Sequence, residues 1–392
     1  MKPKLIPLFL QLHRLICKHP SESGGLIGGK LGEVLYYYSI YKTFDKPYFA
    51  EKAVQLLEDV LASIAEDEAS FEGYALSTGS AGLLYTITLL QQDGLVEIDI
   101  ASQLGGLDSD LVKTTIQNWE TSQRGDLLYG LAGVVHYFSL RLNEPVVQQY
   151  LSKLLHSFFS RVQNEEQGCW FKNNFTSSTD QEDINFSLSH GLSGILLVLL
   201  NLIKKGFEVP GMKSIVIKGI EFILAKQNNH ATGNNGIAEF PMTIPSMHRE
   251  NLNYHTRLAW CYGDLNILNL LYTASNTLNE IHWKKIADDI GNQVILRKHP
   301  KTALVSDSQF CHGYAGIAQC YQNLFAISAN EIYNTAYNDW LDLTLSALPG
   351  DIMSKIFEKK ASDLLEGYMG INLVFLSCMS KEKLDWTKLL LI

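Results

Sequence analysis

Seven strongly apolar segments of helical length recur along the chain, and each is opened by a glycine. The opening glycines are Gly29, Gly79, Gly130, Gly191, Gly263, Gly313 and Gly367. All but the fifth read Gly-x-x-Gly, from Gly29-Lys-Leu-Gly32 to Gly367-Tyr-Met-Gly370; the fifth reads Gly263-Asp-Leu-Asn266. Successive glycines step by 50, 51, 61, 72, 50 and 54 residues, so one repeating unit accounts for the whole chain. Between the apolar segments lie more amphipathic ones. Residues 48–66 set Ala50, Val54, Leu57 and Val60 on one face at spacings of three and four. Residues 146–161 and 214–227 behave similarly, and 280–295 more weakly. The alternation predicts an amphipathic helix, a loop, the glycine motif, then an apolar helix. Helices buried all round form an inner layer, and helices with one wet face form an outer one. No Asn-Gly hairpin signal stands between alternating runs, so strands should be few.

Seven such helix pairs predict an all-α fold, a seven-fold α/α toroid (a double-layered α/α barrel) forming a single domain over residues 1–392; an open solenoid is the alternative. The glycines permit a tight turn and close backbone approach at each inner-helix start. Those starts recur at one height, so the residues just before them should line one mouth. The two widest intervals hold long polar loops, expected beside that mouth. Residues 168–187 include Asn173, Asn174, Ser177, Ser178, Thr179 and Asp180. Residues 228–253 include Asn228, Asn229, His230, Pro241 and Pro245.

Read in that register, the residue before each glycine is Gly28, Thr78, Tyr129, His190, Tyr262, His312 and Glu366. The residue before that is Ile27, Ser77, Leu128, Ser189, Cys261, Cys311 and Leu365. Cys261 and Cys311 therefore stand one repeat apart, with His312 beside the second. Two thiols and an imidazole suit a zinc ion with one position left open. Taken alone, a cysteine ahead of a helix is ordinarily a small buried hydrophobe; it is the shared register of three donors that favours metal. His190 takes in repeat four the place of His312 in repeat six but has no cysteine beside it, which makes it an acid–base candidate. Asp126 stands four residues before Gly130, and Asp363 has the same offset from Gly367. Either also reads as a helix cap. Arg257, four residues before Cys261, is a surface cation or is aimed at the mouth.

Cys169 and His156 fall outside the register and read as structural. His230, His248 and His255 lie in or beside the second long loop as candidate gate residues. Cys17, Cys320 and Cys378 sit in apolar helical patterns and are expected to be buried thiols. Six cysteines in 392 residues are too sparse for a disulfide framework, which suggests a reducing compartment. The formal net charge of −9 argues against nucleic acid or an anionic membrane surface as partner, and is compatible with a basic or neutral peptide. Lys2 and Lys4 precede an apolar run, but Gln11, His13 and Arg14 interrupt it, so an amphipathic first helix is expected rather than a signal peptide. No apolar run is long enough for a membrane span, and a cytoplasmic location is expected.

The motifs Ser189-His-Gly-Leu-Ser-Gly194, Trp260-Cys-Tyr-Gly263 and Cys311-His-Gly-Tyr-Ala-Gly316, with the glycine repeats around them, resemble the lanthionine synthetase C-like proteins, the cyclases of lanthipeptide biosynthesis. The resemblance covers essentially the full chain. It implies a seven-fold α/α toroid with Zn2+ held by Cys261, Cys311 and His312, and active-site roles for Asp126, His190, Arg257 and Tyr262. It further implies addition of peptide cysteine thiols to dehydroalanine or dehydrobutyrine, closing (methyl)lanthionine thioether rings. The implied substrate is a dehydrated precursor peptide, and the implied partners are a separate dehydratase and an exporter, as for a stand-alone cyclase. Two departures matter. Asn266 replaces the second glycine of repeat five, which should alter a turn without touching a ligand, and the 51-residue step between repeats two and three leaves no room for an inserted small domain. Two other readings remain. One is a lanthionine synthetase C-like zinc protein with another thiol-addition or scaffold role. The other is an α/α-toroid glycoside hydrolase using Asp126 with Glu366 or Asp363 as its carboxylate pair.

Overall fold

A computed structural model of the chain describes residues 3–66, 73–98, 103–172, 184–230, 236–245, 249–250 and 252–392. The chain packs into two compact units. One comprises Met1–Leu111, Ser306–Gln319 and Asn338–Ile392; the other comprises Val112–Val305 and Cys320–Tyr337.

In the first unit, α1 (Leu5–Lys18) is amphipathic as expected, burying Leu5, Leu8, Phe9, Leu12 and Ile16. The apolar segment after Gly29 is α2 (Lys30–Phe44), in which every residue from Leu31 to Ile40 is buried. It packs on α3 (Pro47–Glu66), whose buried face is Ala50, Ala53, Leu57 and Val60. Val54, expected on that face, is only half-buried, because the stripe drifts by one residue along the helix. The segment after Gly79 forms α4 (Ser80–Gln92), buried from Ala81 to Leu90.

The second unit repeats the scheme. Here α5 (Gly105–Ser122), begun in the first unit, precedes α6 (Leu131–Phe138), all eight of whose residues are buried, and α6 packs on α7 (Pro145–Phe159). Next come α8 (Leu192–Lys204) and its amphipathic partner α9 (Met212–Leu224), then α10 (Asp264–Leu278) and α11 (Ile281–Val294), with the short α12 (Pro300–Ala303) after them. One face of α11 carries the buried Trp283, Ala287, Ile290 and Val294. The remaining helices are α13 (Tyr314–Ser328), α14 (Glu331–Met353), α15 (Tyr368–Met379) and α16 (Asp385–Leu389). Burying one leucine or isoleucine contributes about 1.5–3 kcal/mol, and the inner helices bury such residues on every side, which is why they lack the polar stripe of their partners.

Strands are few, as expected. Among the described residues they are β1 (Val162–Glu165), paired antiparallel with β2 (Gly168–Phe171), and β3 (Ile184–Asn185), paired antiparallel with β4 (Thr243–Ile244). All four lie in the two widest intervals, so among the described residues the extra length there goes in part into short strands.

The glycine motif has a steric cause. At Gly194 a Cβ would lie 1.9 Å from the carbonyl oxygen of Leu188, and at Gly316 1.7 Å from that of Phe310. The chain doubles back against the start of the inner helix, and no side chain fits between. Repeat five departs as expected: Gly263 adopts φ +100°, in the left-handed region, whereas Gly29, Gly79, Gly130, Gly191 and Gly367 are extended. Backbone hydrogen bonds join neighbouring turns. Leu26 donates to Ser77 O (2.7 Å), Leu364 to Ile27 O (2.8 Å) and Cys311 to Leu365 O (2.7 Å) in the first unit, and Leu188 to Cys261 O (3.1 Å) in the second. Those bonds hold the pre-glycine residues of adjacent repeats side by side, the arrangement inferred for the mouth.

Candidate metal centre and its surroundings

Each of the expected ligands sits on backbone that is held from both ends. The segment leading to Cys261 has no helical structure; Leu258 N–H donates to Ala303 O at 2.9 Å, and the carbonyl of Cys261 accepts from Leu188 N–H and, at 3.4 Å, from Ser189 Oγ. The turn leading to Cys311 is capped by Asp307, whose Oδ1 accepts the N–H of Gln309 at 3.0 Å. The two cysteines are 6% and 8% exposed, enough to keep thiols out of bulk water without sealing them off. The Sγ atoms of Cys261 and Cys311 and a ring nitrogen of His312 lie within 4.8 Å of one another. Among the described residues this is the one cluster of three or more His, Cys, Asp or Glu donors that could hold a metal ion.

The donor set fits zinc. Ligand atoms about 2.0–2.3 Å from a tetrahedral ion stand roughly 3.3–3.8 Å apart, so a small rotamer adjustment closes the group. Two soft sulfurs with one imidazole and no carboxylate favour zinc over calcium or magnesium.

Asp126 and His190 come together in the second unit. Asp126 is fully buried, and its Oδ1 accepts the N–H of Leu128 (2.9 Å) and of Tyr129 (2.8 Å). The cap reading is therefore correct, and it is only half of the account. The same Oδ1 faces His190 Nδ1 at 3.4 Å, and Asp126 Oδ2 has no partner among the described residues. The imidazole is held further by its backbone N–H, which donates to Ser187 Oγ at 2.9 Å, and by the Tyr129 ring, stacked on it with centroids 5.7 Å apart and planes 12° apart. Tyr129 escaped the sequence reading as a functional group, although its register position was the signal that could have found it.

Arg257 is exposed and lines a cavity of about 220 Å³ with Thr243, Asn253, His255, Thr256 and Leu304. Tyr262 is half-buried beside Cys261. A second group missed from the sequence lies beneath them. Asp264, buried in the first turn of α10, accepts from Arg297 Nη1 at 2.8 Å and from the backbone N–H groups of Phe240 (3.0 Å) and Glu239 (3.2 Å). Arg297 also donates to the carbonyls of Thr302 and Thr256. Burial pushes the Asp264 carboxyl up from its ordinary value, against the pull of Arg297. This clamp ties the loop ahead of Arg257 to the turn that carries Cys261. No periodicity marks an isolated aspartate and arginine 33 residues apart.

The other sequence candidates separate. Asp363 caps its own turn, accepting the N–H groups of Leu365 and Glu366 at 2.8 Å each, and burial raises its carboxyl. Glu366 pairs with Lys360. His230 pairs with Glu239 at 2.8 Å, His156 is exposed, and His248 lies outside the described residues, as do Asn173, Asn174, Ser177, Ser178, Thr179 and Asp180. Cys320 is buried, and its thiol is pushed far up by burial; Cys169 is buried too, at about 11. Cys17 and Cys378 correct the expectation of buried thiols. Cys17 is exposed and Cys378 only half-buried, because each falls at the wet edge of its helix.

With the geometry in hand, comparison with known proteins gives two findings. The family model described as "Lanthionine synthetase C-like protein" matches residues 20–391. Among solved structures, the chain is similar to "Nisin cyclase", with a TM-score of 0.77 at 19% sequence identity, over 99% of this chain and 96% of that one. No curated protein matches the sequence. The structural likeness gives the fold class as the sequence analysis expected it: all-α, an α/α toroid. No helix among the described residues is long and apolar enough to cross a membrane.

Proposed function

Because the chain belongs to the lanthionine synthetase C-like family, we propose that it is a zinc-dependent lanthipeptide cyclase acting as one domain on a dehydrated precursor peptide. Membership of the family carries the enzyme class, a lanthionine synthetase. The observation that carries the finer reading is the convergence of Cys261, Cys311 and His312 within 4.8 Å. The match of a single family model to residues 20–391 supports one domain. A cytoplasmic setting, a separate dehydratase and an exporter are the partners and place this reading assigns.

In this reading Cys261, Cys311 and His312 would hold the ion, which when bound would supply a Lewis acid for an incoming cysteine thiol, otherwise mostly protonated at neutral pH. The thiol gives up its proton to solvent, from which His190 is later reprotonated, and its sulfur forms a bond to the β-carbon of dehydroalanine or dehydrobutyrine. The alkene pair moves toward the carbonyl, and the α-carbon then takes a proton. Nothing leaves, so the product has the mass of the substrate. His190 delivers the α-carbon proton. Its Nδ1 is turned to Asp126, which fixes the ring and stabilises it when charged. Tyr129 restricts the ring's tilt. Arg257 and Tyr262 offer a cation and a phenol to the developing enolate oxygen. Asp264 and Arg297 hold the backbone on which those groups stand.

The test is metal content alongside turnover. The wild-type chain should carry about one zinc equivalent and consume the alkylatable thiols of a dehydrated peptide. Cys311→Ala should lose both. Full zinc retention in that variant, or a zinc-loaded wild type that leaves every thiol alkylatable, would overturn the reading.

A further inference from the structure

A cavity of about 560 Å³ opens in the second unit between the end of α9 and one face of α11. Its inner wall is Glu239, a carboxylate only 5% exposed. Buried carboxylates are normally matched by a fixed cation. Here Oε2 accepts from the neutral Gln227 amide at 3.1 Å and Oε1 meets His230 Nε2 at 2.8 Å, and no lysine or arginine pairs with it among the described residues. A second acceptor stands beside it. Asn228, 6% exposed, turns its amide nitrogen to Ala238 O at 3.0 Å, which fixes the amide's orientation and leaves Oδ1 with no partner among the described residues. The opposite wall is α11, where Ile286 and Ile290 stand one turn apart with Asp289 between them and Gln293 above.

These features call for a compact cation on an apolar stem. A bare metal ion would need six or more oxygens at close range, and the cavity is far too wide to supply them. A lysine side chain fits: its methylenes lie along Ile286, and its ammonium donors answer Glu239 and Asp289, with the buried Asn228 Oδ1 adding negative potential behind them. The cavity is also tied to the candidate centre. The Asp264 carboxylate that accepts the Glu239 N–H opens α10, three residues after Cys261. Resting on the cyclase reading above, we infer that this cavity is a subsite for a lysine side chain of the substrate peptide. The chain's net charge of −9 draws a basic peptide toward it.

The test separates binding from turnover. A fluorescein-labelled five-lysine peptide and its Nε-acetylated twin are titrated against the full chain by anisotropy. The lysine peptide should bind roughly tenfold or more tightly than its twin, the worth of a charge-assisted contact. Glu239→Gln should erase that preference, while Glu51→Gln, which removes the same charge from an exposed position on α3, should leave it intact. Gln293→Lys places an ammonium on the cavity wall; it should block the peptide and raise the Tm. Should Glu239→Gln fail to fold, Asp289→Asn and Gln293→Lys, both on the exposed edge of α11, decide the matter. Equal binding of the two peptides overturns the inference, as does an equal loss in Glu51→Gln. A wild type without the preference but with thiol consumption intact sinks the subsite alone, whereas a wild type with the preference but without thiol consumption sinks the cyclase reading and leaves a lysine site.

Discussion

The opening turns of repeats three and seven carry nearly the same string, Asp126-Leu-Leu-Tyr-Gly130 and Asp363-Leu-Leu-Glu-Gly367. Locally they fold alike: in each, one carboxylate oxygen accepts the N–H groups two and three residues on, at 2.8–2.9 Å. They differ in what surrounds the second oxygen. Around Asp126 it is fully buried and without a partner among the described residues, with the His190 imidazole against the first oxygen and the Tyr129 ring over that imidazole. Around Asp363 it stands beside Gly28, where a Cβ would come within 2.7 Å, and faces a polar cavity of about 690 Å³ lined by Ser21, Ser362 and Lys360. One sequence motif thus makes one turn, and only the neighbour supplied by the next repeat sets an imidazole against the capping carboxylate.

The largest effect that bears on this contrast comes from His190→Asn. Removing a positioned proton donor should slow thiol consumption by about 10²–10⁴-fold, with zinc and fold retained. A variant that keeps near-wild-type rates once corrected for folded fraction would return both turns to a purely structural role. The paired substitution follows. Asn keeps the oxygen that caps the turn, so Asp126→Asn and Asp363→Asn should both fold. The first removes the charge that steadies an imidazolium and should cost roughly 10–10³-fold in kcat/KM; the second should stay within about twofold. Equal losses would break the comparison. The smallest effect is one of stability. Burial raises the folded pKa of Asp363 above its unfolded value, so the native state holds that proton more tightly and wild-type stability falls as pH rises through the window between the two. Asp363→Asn should therefore lose the least ground, or gain some, at neutral pH and be at its worst relative to wild type below pH of about 4. Thermal melts across that range that run parallel would remove the burial argument.

Much of this was legible in the sequence. The period of the glycines gave the repeat, because a Cβ at Gly194 or Gly316 would strike a carbonyl six residues back, and that constraint is local. The same period put Cys261 and Cys311 on equivalent turns. It also flagged Asn266 as a departure, realised as the positive φ of Gly263. Burial of single side chains was less legible. Cys17 and Cys378 share the apolar pattern of Cys320 but stand at the wet edges of their helices, since periodicity fixes a face only to within a residue or two.

What the sequence determined by itself is the order of helices, the repeat and the register of its thiols and imidazoles, all consequences of steric rules that act within a few residues. What only the tertiary structure decided is which polar groups meet across long separations: Asp126 with His190 and Asp264 with Arg297. Such pairs leave no periodic trace, because a buried charge is stabilised by whatever donor the packing brings to it, however far away that donor lies along the chain.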